Sequence, residues 1–332
     1  MIFNRSIQST LGSVVAIGLA ALLASCGGGG GTESTATKFT SVAMAGELLD
    51  YTIDTGKLTY TYTITESQFG LNGKTGSGTL VRNSDGSYSP SGIPHARVVV
   101  LPNGLLLGAV REQFGASVIT VPIIGLSNPV ATLAAIAGDY NYIHRNCLAS
   151  VCGASHGTFQ IESGGTWTSC RDGNVADPGP CAGTAASGTL ESLGNGRWRV
   201  MDGSTNIGTA IGFASGGQNV LVVDLKDIRA GGFGVGMLVG GQQVAMMPGQ
   251  TDGTWAVGTS NGHWGVFTAS GPTINLTLLD GIPVNVSTTF TANSPWTGMA
   301  TTAAGGVGFL AGTGVYVLET ATGAAELGVK LN

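Results

Sequence analysis

Charge is scarce in this chain. Lys and Arg number 14 and Asp and Glu 19 among 332 residues, so 10% of positions are charged, where soluble domains usually hold about 25%. The net charge is −5, and no long basic block occurs, which excludes the electrostatic footprint of a nucleic-acid binder. With only 11 prolines and no three-residue glycine period, a collagen-like chain is excluded. Aromatics make up 7% of the residues, too few for the girdles of a barrel that spans a membrane with strands. Past the N-terminus no apolar run approaches the length of roughly 18 residues expected of a spanning helix. Glycine is what the chain does have: 56 residues, more than twice the usual share of about 7%. Hydrophobic residues make up 42% and the mean hydropathy is +0.28, so want of apolar surface is no reason for disorder.

The N-terminus reads as an address. Arg5 is the only charged residue before Glu33, and Leu11 to Ser25 is an uncharged stretch rich in Leu, Ala, Val and Ile. That stretch is short for a spanning helix of about 20 residues and suits the apolar core of a signal peptide. It ends in Leu23-Ala24-Ser25-Cys26, followed by Gly27 to Gly31. This run resembles the lipobox of bacterial lipoproteins. The resemblance implies removal of residues 1–25 as a signal peptide, acylation of Cys26 (palmitate among the chains), and a mature protein held to a membrane by those chains. Gly27 stands where an aspartate commonly retains lipoproteins in the inner membrane, so the resemblance points to the outer membrane. Several acyl chains, at about 0.8 kcal/mol per buried methylene, make a stable anchor. Residues 26–37, a lipidated Gly-rich segment of small polar residues, serve as a flexible tether. Loss of residues 1–25 removes Arg5 alone, leaving 13 basic against 19 acidic residues and a charge of −6.

Beyond residue 38 the hydrophobic period is two. Lys57–Glu66 alternates threonine with Leu, Tyr and Ile, the pattern of a half-buried strand. Further β-rich runs are Ala96–Leu101, Val118–Ile123, Asn219–Leu225, Asn275–Leu279 and Gly314–Glu319. Nine Asx-Gly pairs stand between runs, from Asn72-Gly73 to Asp280-Gly281; such pairs suit type I′ turns and predict antiparallel hairpins. In several of them an aromatic residue follows the glycine by two positions, as in Gly196–Trp198, Gly253–Trp255 and Gly262–Trp264, and Gly165–Trp167 shares the spacing. These aromatics read as core or end-plug residues, with ligand stacking by Trp167, Trp198, Trp255 or Trp264 as the functional alternative. The spacing is too irregular for a propeller or solenoid.

One helical stretch is expected near 129–137, with Asn128 as cap, Pro129 in its first turn and Gly138 as stop. It divides a smaller β unit at 38–127 from a larger one at 138–332, the latter with some ten strands. The fold class is therefore all-β, an antiparallel meander closing as a barrel or folding as a sandwich. A single barrel with a crossover helix is the alternative.

Four cysteines remain after Cys26: Cys147, Cys152, Cys170 and Cys181. An even number in an exported chain reads as disulfides, with Cys147–Cys152 and Cys170–Cys181 the favoured pairing and cross-pairing still open. Each bridge clamps a loop at the same end of the sheet, a good place for a binding surface. His144, Cys147, Cys152 and His156 together are a tetrahedral zinc set in kind, but their spacing fits no zinc finger and an oxidising compartment pairs the thiols. His95 and His263 stand alone. Gly153–Gly157 and Gly258–Gly262 match the nucleophile elbow around Ser155 and Ser260, yet neither stands between a strand and a helix. Gly232–Gly236 and Gly306–Gly308 lack the helix and lysine of a nucleotide loop. Asp224 and Asp227 bracket Lys226 and read as solvated charge rather than a glycosidase pair. No catalytic, metal or cofactor set emerges, and the chain is not expected to be an enzyme.

The expectation is a lipid-anchored, non-enzymatic binding or adhesion module of the outer membrane, whose partner is an unknown protein, a glycan or a small apolar ligand. A lipocalin-like carrier and a structural envelope component are the alternatives. The body of the chain is loosely similar to surface lipoproteins with β-barrel domains, a likeness of architecture alone.

Overall fold

The computed structural model describes residues 35–93, 96–114, 117–148, 151–176, 181, 185–226, 235–278, 285–312 and 314–331. The signal segment, Cys26, His95, Asp227 and Asp280-Gly281 lie outside them.

The chain forms three closed, eight-stranded antiparallel barrels in sequence. The first runs β1 (Ala36–Ala43), β2 (Glu47–Asp54), β3 (Thr59–Ser67), β4 (Thr75–Arg82), β5 (Tyr88–Pro90), β6 (Arg97–Val100), β7 (Leu105–Phe114) and β8 (Ser117–Leu126). After a single helical turn, α1 (Leu133–Ile136), the second runs β9 (Gly138–Leu148), β10 (Val151–Ile161), β11 (Thr166–Arg171) and β12 (Ala185–Gly194). It continues with β13 (Arg197–Asp202), β14 (Thr205–Ser215), β15 (Gln218–Leu225) and β16 (Val235–Gln242). The third comprises β17 (Gly253–Thr259), β18 (Trp264–Ser270), β19 (Thr273–Leu278) and β20 (Asn285–Ala292). Its last strands are β21 (Met299–Thr302), β22 (Val307–Ala311), β23 (Val315–Glu319) and β24 (Ala325–Lys330). First and last strands pair in each barrel: β1 with β8, β9 with β16 and β17 with β24. Closure leaves no sheet edge exposed.

Residues 138–332, expected as one unit of some ten strands, thus hold two barrels of eight strands each. The division falls at 243–252, between β16 and β17, where neither a helix nor a run of small residues punctuates the sequence. The helix also differs from expectation. It is four residues long, because Pro129 makes a β-bridge to Phe213 and the amide of Val130 donates to the Gly212 carbonyl. Those bonds to barrel two hold the first half of the segment extended.

The Asx-Gly turns make hairpins mostly by another geometry than type I′. Among the eight described pairs, Asn195-Gly196 alone has positive φ at both residues. In the Leu101–Leu105 turn, the Gly104 amide donates to the Leu101 carbonyl and the Leu101 amide to Leu105. Gly104 sits at φ 84°, so this is a type I turn closed by a left-handed glycine. The same pair of bonds recurs at Asn83–Ser87, Glu162–Thr166, Thr259–His263, Thr302–Gly306 and Thr320–Ala324.

Apolar residues form an interior in each barrel and a further core between barrels. Phe39, Leu49, Ile64 and Leu106 belong to the interior of the first, Tyr140, Phe159, Trp198 and Leu221 to the second, and Trp255, Phe267 and Tyr316 to the third. The shared core joins Leu48, Leu105 and Leu107 of barrel one to Ile211, Phe213 and Val222 of barrel two. Trp264, Phe309 and Val317 enter it from barrel three. On β15 the alternation is direct: Val220 and Val222 face the shared core, Leu221 and Val223 the barrel interior. Polar contacts ring this core. The Arg197 guanidinium lies 2.6 Å from Asp50, His156 Nδ1 lies 2.8 Å from Glu319, and Trp296 Nε1 donates to Asn141 at 2.7 Å.

Glycine thins the walls where rings lie across them. Trp167 is register partner to Gly188 and Tyr142 to Gly157. A Cβ on Gly188 would stand 2.7 Å from the Trp167 ring and 1.8 Å from the Met201 carbonyl oxygen. Gly188→Ala should therefore cost about 1–3 kcal/mol by overpacking, read as a lower midpoint in urea. Gly153→Ala, whose Cβ meets nothing within 4 Å, should leave the midpoint near its original value; equal effects from the two would refute ring-on-glycine packing.

Candidate functional site

The middle barrel has one plugged end. Ile136 of α1 is fully buried in its interior cluster beside Tyr140 and Trp198. The Tyr140 hydroxyl donates to the Ile136 carbonyl at 2.6 Å and the Asn219 amide to the Ala135 carbonyl at 2.7 Å. Gly165 and Gly196 lie against Leu133 and Pro129, so residues 129–136 cross this end of the barrel.

From there to the opposite end the barrel is hollow. A cavity of about 400 Å³ is lined by Phe159, Ile161, Trp167, Leu190, Val223 and Leu238 among others. That volume falls within the range of about 300–1,000 Å³ usual for small-molecule sites. Its cause lies in the residue sizes that face inward. Ala186 on β12, Gly188, and Gly240 on β16 occupy wall positions where larger side chains would reach the axis, and the Phe159 ring lies 2.7 Å from where a Gly240 Cβ would stand. Ala186 and Leu238 line the cavity yet are only half-buried, because they face space. The third barrel encloses only about 30 Å³, bounded by Trp255, Phe267, Phe309 and Tyr316, room for a single water.

The polar lining of the cavity gathers at the end opposite α1. Arg171 and Asp202 are the last residues of β11 and β13, strands that run in the same direction as β9, and both line the cavity with Ser169 and His144. His144 is buried, with Nε2 3.0 Å from the Ser155 hydroxyl. Burial above all, aided by the nearby Arg171 charge, lowers its pKa to about 4, so the ring is neutral at pH 7. Arg171 reaches solvent and pairs with Asp172 at 3.7 Å.

Both disulfides stand at this end. Cys147 and Cys152 face one another across the β9–β10 hairpin with Cα atoms 4.0 Å apart. Cys170, next to cavity-lining Ser169 and Arg171, bonds to Cys181 with Cα atoms 5.3 Å apart. The two pairs are those the spacing favoured. With the thiols spent, the zinc set is dismantled: His144 faces the cavity, while His156 pairs with Glu319 of the third barrel.

The four tryptophans do not share one site. Trp167 lines the cavity and donates through Nε1 to the Met201 carbonyl at 3.2 Å. Trp198 is packed beside the plug, Trp255 stacks on Phe267 within barrel three, and Trp264 faces the shared core. The elbow serines are equally separate. Ser155 lies within β10, and Ser260 accepts a bond from the Ala325 amide. A histidine with pKa about 4 makes a poor base at neutral pH for the Ser155 hydroxyl. Asp224, expected as solvated charge, is fully buried; burial raises its pKa well above the usual carboxylate range. It faces the contact between barrels one and two, where Glu66 pairs with Lys226 and accepts from the Thr209 hydroxyl. A ligand-holding barrel stood as an alternative in the sequence, but the sequence did not locate the cavity, His144's part in it, or the Arg171–Asp202 rim. Two-residue alternation with small residues at 186 and 188 was the available signal.

No family model and no curated protein matches this chain. Among solved structures it is similar to transferrin-binding protein B, a vaccine antigen of Haemophilus parasuis Hp5. For a double mutant of that protein the identity is 9% and the TM-score 0.26, over 90% of this chain and 66% of that one. For a single mutant the identity is again 9% with a TM-score of 0.20, over 86% and 65%. The chain thus spans just under two thirds of their length. A DNA polymerase sliding clamp of Caulobacter crescentus matches at 9% identity and TM-score 0.13, over 91% and 93%. At such TM-scores none of these likenesses carries an argument about function.

The buried His144 has a consequence for stability. Its pKa is near 4 when folded and about 6.5 when unfolded, so the unfolded chain binds more protons between those values. Its contribution to stability is intact above pH 6.5 and is lost as pH falls toward 4. Glu326, pushed up to about 7 by burial, acts in the opposite sense, so the comparison is made with a variant at each pH. His144→Asn should gain on the wild type by up to about 3 kcal/mol on going from pH 7 to pH 4, measured by urea denaturation; parallel curves would refute the buried neutral imidazole.

Proposed function

We propose that this protein is a lipid-anchored, non-enzymatic carrier whose middle barrel holds one small, largely apolar ligand. The observation that carries the reading is the cavity of about 400 Å³ between the α1 plug and the disulfide end, walled by Phe159, Trp167, Leu190, Val223 and Leu238. An eight-stranded barrel is wide enough for side chains or for one small ligand, and here inward-facing glycine and alanine favour the ligand. Placement at the outer membrane rests on the Leu23–Cys26 lipobox and Gly27.

Two experiments test the two halves. Native mass spectrometry of the gently extracted protein should show a bound apolar molecule, and an apolar fluorescent probe should bind at one site with quenching of Trp167 emission. Leu238→Trp, which fills the cavity from its half-buried wall, should abolish probe binding while far-UV circular dichroism stays the same; undiminished binding would sink the carrier reading. For the anchor, globomycin should block processing and Cys26→Ala should abolish incorporation of labelled palmitate. Incorporation by that variant would overturn attachment at Cys26.

A further inference from the structure

We infer that the ligand of the middle barrel is an uncharged, mostly apolar molecule bearing a carbonyl oxygen, and that the Tyr142 hydroxyl is the donor that reads it. This inference rests on the carrier reading above and deepens it. Two buried tyrosines of β9, Tyr140 and Tyr142, face the interior of the barrel. The plug takes up the Tyr140 hydroxyl, which donates to the Ile136 carbonyl. Tyr142 lines the cavity instead. Its ring lies over Gly157, where a Cβ would stand 2.8 Å from the hydroxyl oxygen. There the hydroxyl makes no hydrogen bond to a described residue. Burial above all pushes its pKa far above the usual value, so the proton stays on and is there to donate. A buried tyrosine hydroxyl usually finds a partner, and a wholly apolar ligand would desolvate this one without supplying any.

Strand register sets the depth of this group. Gly157 pairs with Arg171 on β11, and Phe159 with Ser169, so Ser169 stands one inward-facing position nearer the plug. It is half-buried, lines the cavity, and its hydroxyl also has no partner among the described residues. The other polar groups of the lining are taken. His144, neutral at pH 7, is held by Ser155. Arg171 and Asp202 are engaged within the protein, and Arg171 is mostly exposed, where solvent screens its charge. What stays open is thus a pair of hydroxyls, neither of which compensates a buried charge. A carbonyl oxygen can accept from both on its two lone pairs and brings no proton that would itself need a partner.

The test uses the full-length chain and titration calorimetry with four naphthalenes of nearly one shape. Acetylnaphthalene carries the carbonyl, isopropenylnaphthalene has a methylene in place of its oxygen, naphthoate is an anion and naphthylethylamine a cation. The ketone should bind about tenfold more tightly than its methylene counterpart, and more tightly than either ion. Tyr142→Phe should remove that advantage and leave the affinity for isopropenylnaphthalene unchanged. Its urea midpoint should stay near that of the wild type, because the hydroxyl bonds to nothing in the protein. In the infrared, the carbonyl band of isotope-labelled acetylnaphthalene should lie at lower wavenumber in the wild type than in Tyr142→Phe. A ketone preference that survives in the variant, or a band that does not move, would overturn Tyr142 as the donor. Equal affinity for the ketone and isopropenylnaphthalene in the wild type, or tighter binding of either ion, would overturn the ligand class and leave the carrier reading standing. If none of the four binds and the apolar fluorescent probe fails as well, both readings fall.

Discussion

Where the three barrels meet, Val220 and Val222 face one apolar core while Leu221 and Val223, between and beyond them, face another. A strand buried on both faces has no position for a charge without a partner, and that constraint governs the rest of the molecule. It accounts for the low charge of the chain: much of what would be solvent-facing wall on an isolated barrel is interior here. The polar groups at the junction come in pairs, Arg197 with Asp50 and His156 with Glu319. Asp224 has no such partner. It is fully buried and raised above the ordinary carboxylate range, as expected when desolvation outweighs the nearby Lys226 charge.

Glycine follows from the same geometry at shorter range. In a closed sheet of eight strands the interior is narrow, and several rings lie across a register partner without a Cβ. Trp167 over Gly188 and Tyr142 over Gly157 show the arrangement, and in barrel one Tyr60 and Tyr62 lie across Gly78 and Gly76. Flattened against the wall, such rings no longer fill the axis. In the third barrel Trp255, Phe267 and Tyr316 turn toward one another and leave almost no void. In the second the plug takes up Tyr140 and Trp198 at one end, and small residues leave the rest hollow. One folding device thus yields a packed barrel in one case and a ligand-sized space in the other.

The two ends of the middle barrel differ in chemistry. One end is closed by a segment whose own polar groups bond to Tyr140 and Asn219. At the other the strands finish on charged residues, and disulfides hold the neighbouring backbone. The bridges tie the hairpin and strand that carry His144, Ser169 and Arg171.

Period-two alternation along Lys57–Glu66 and the Asx-Gly turns made an all-β antiparallel meander legible, because both are local consequences of strand and hairpin geometry. Cysteine spacing pointed to the two disulfides for the same reason: each bridge closes a short loop. The lipobox, also local, set the expectation of an anchor. Barrel count was not legible, since closure depends on which strands meet after eight have formed, and the Pro248-Gly249 and Asp252-Gly253 signals at the boundary do not differ from those of turns within a barrel. Nor was the cavity. Trp167, Trp198, Trp255 and Trp264 follow turn glycines at one spacing, yet they occupy different environments, because facing in or out of a barrel depends on strands distant in the chain. Local alternation and turn chemistry determined the strands; only their closure into barrels, and the packing of those barrels on one another, decided which apolar faces meet side chains and which enclose empty space.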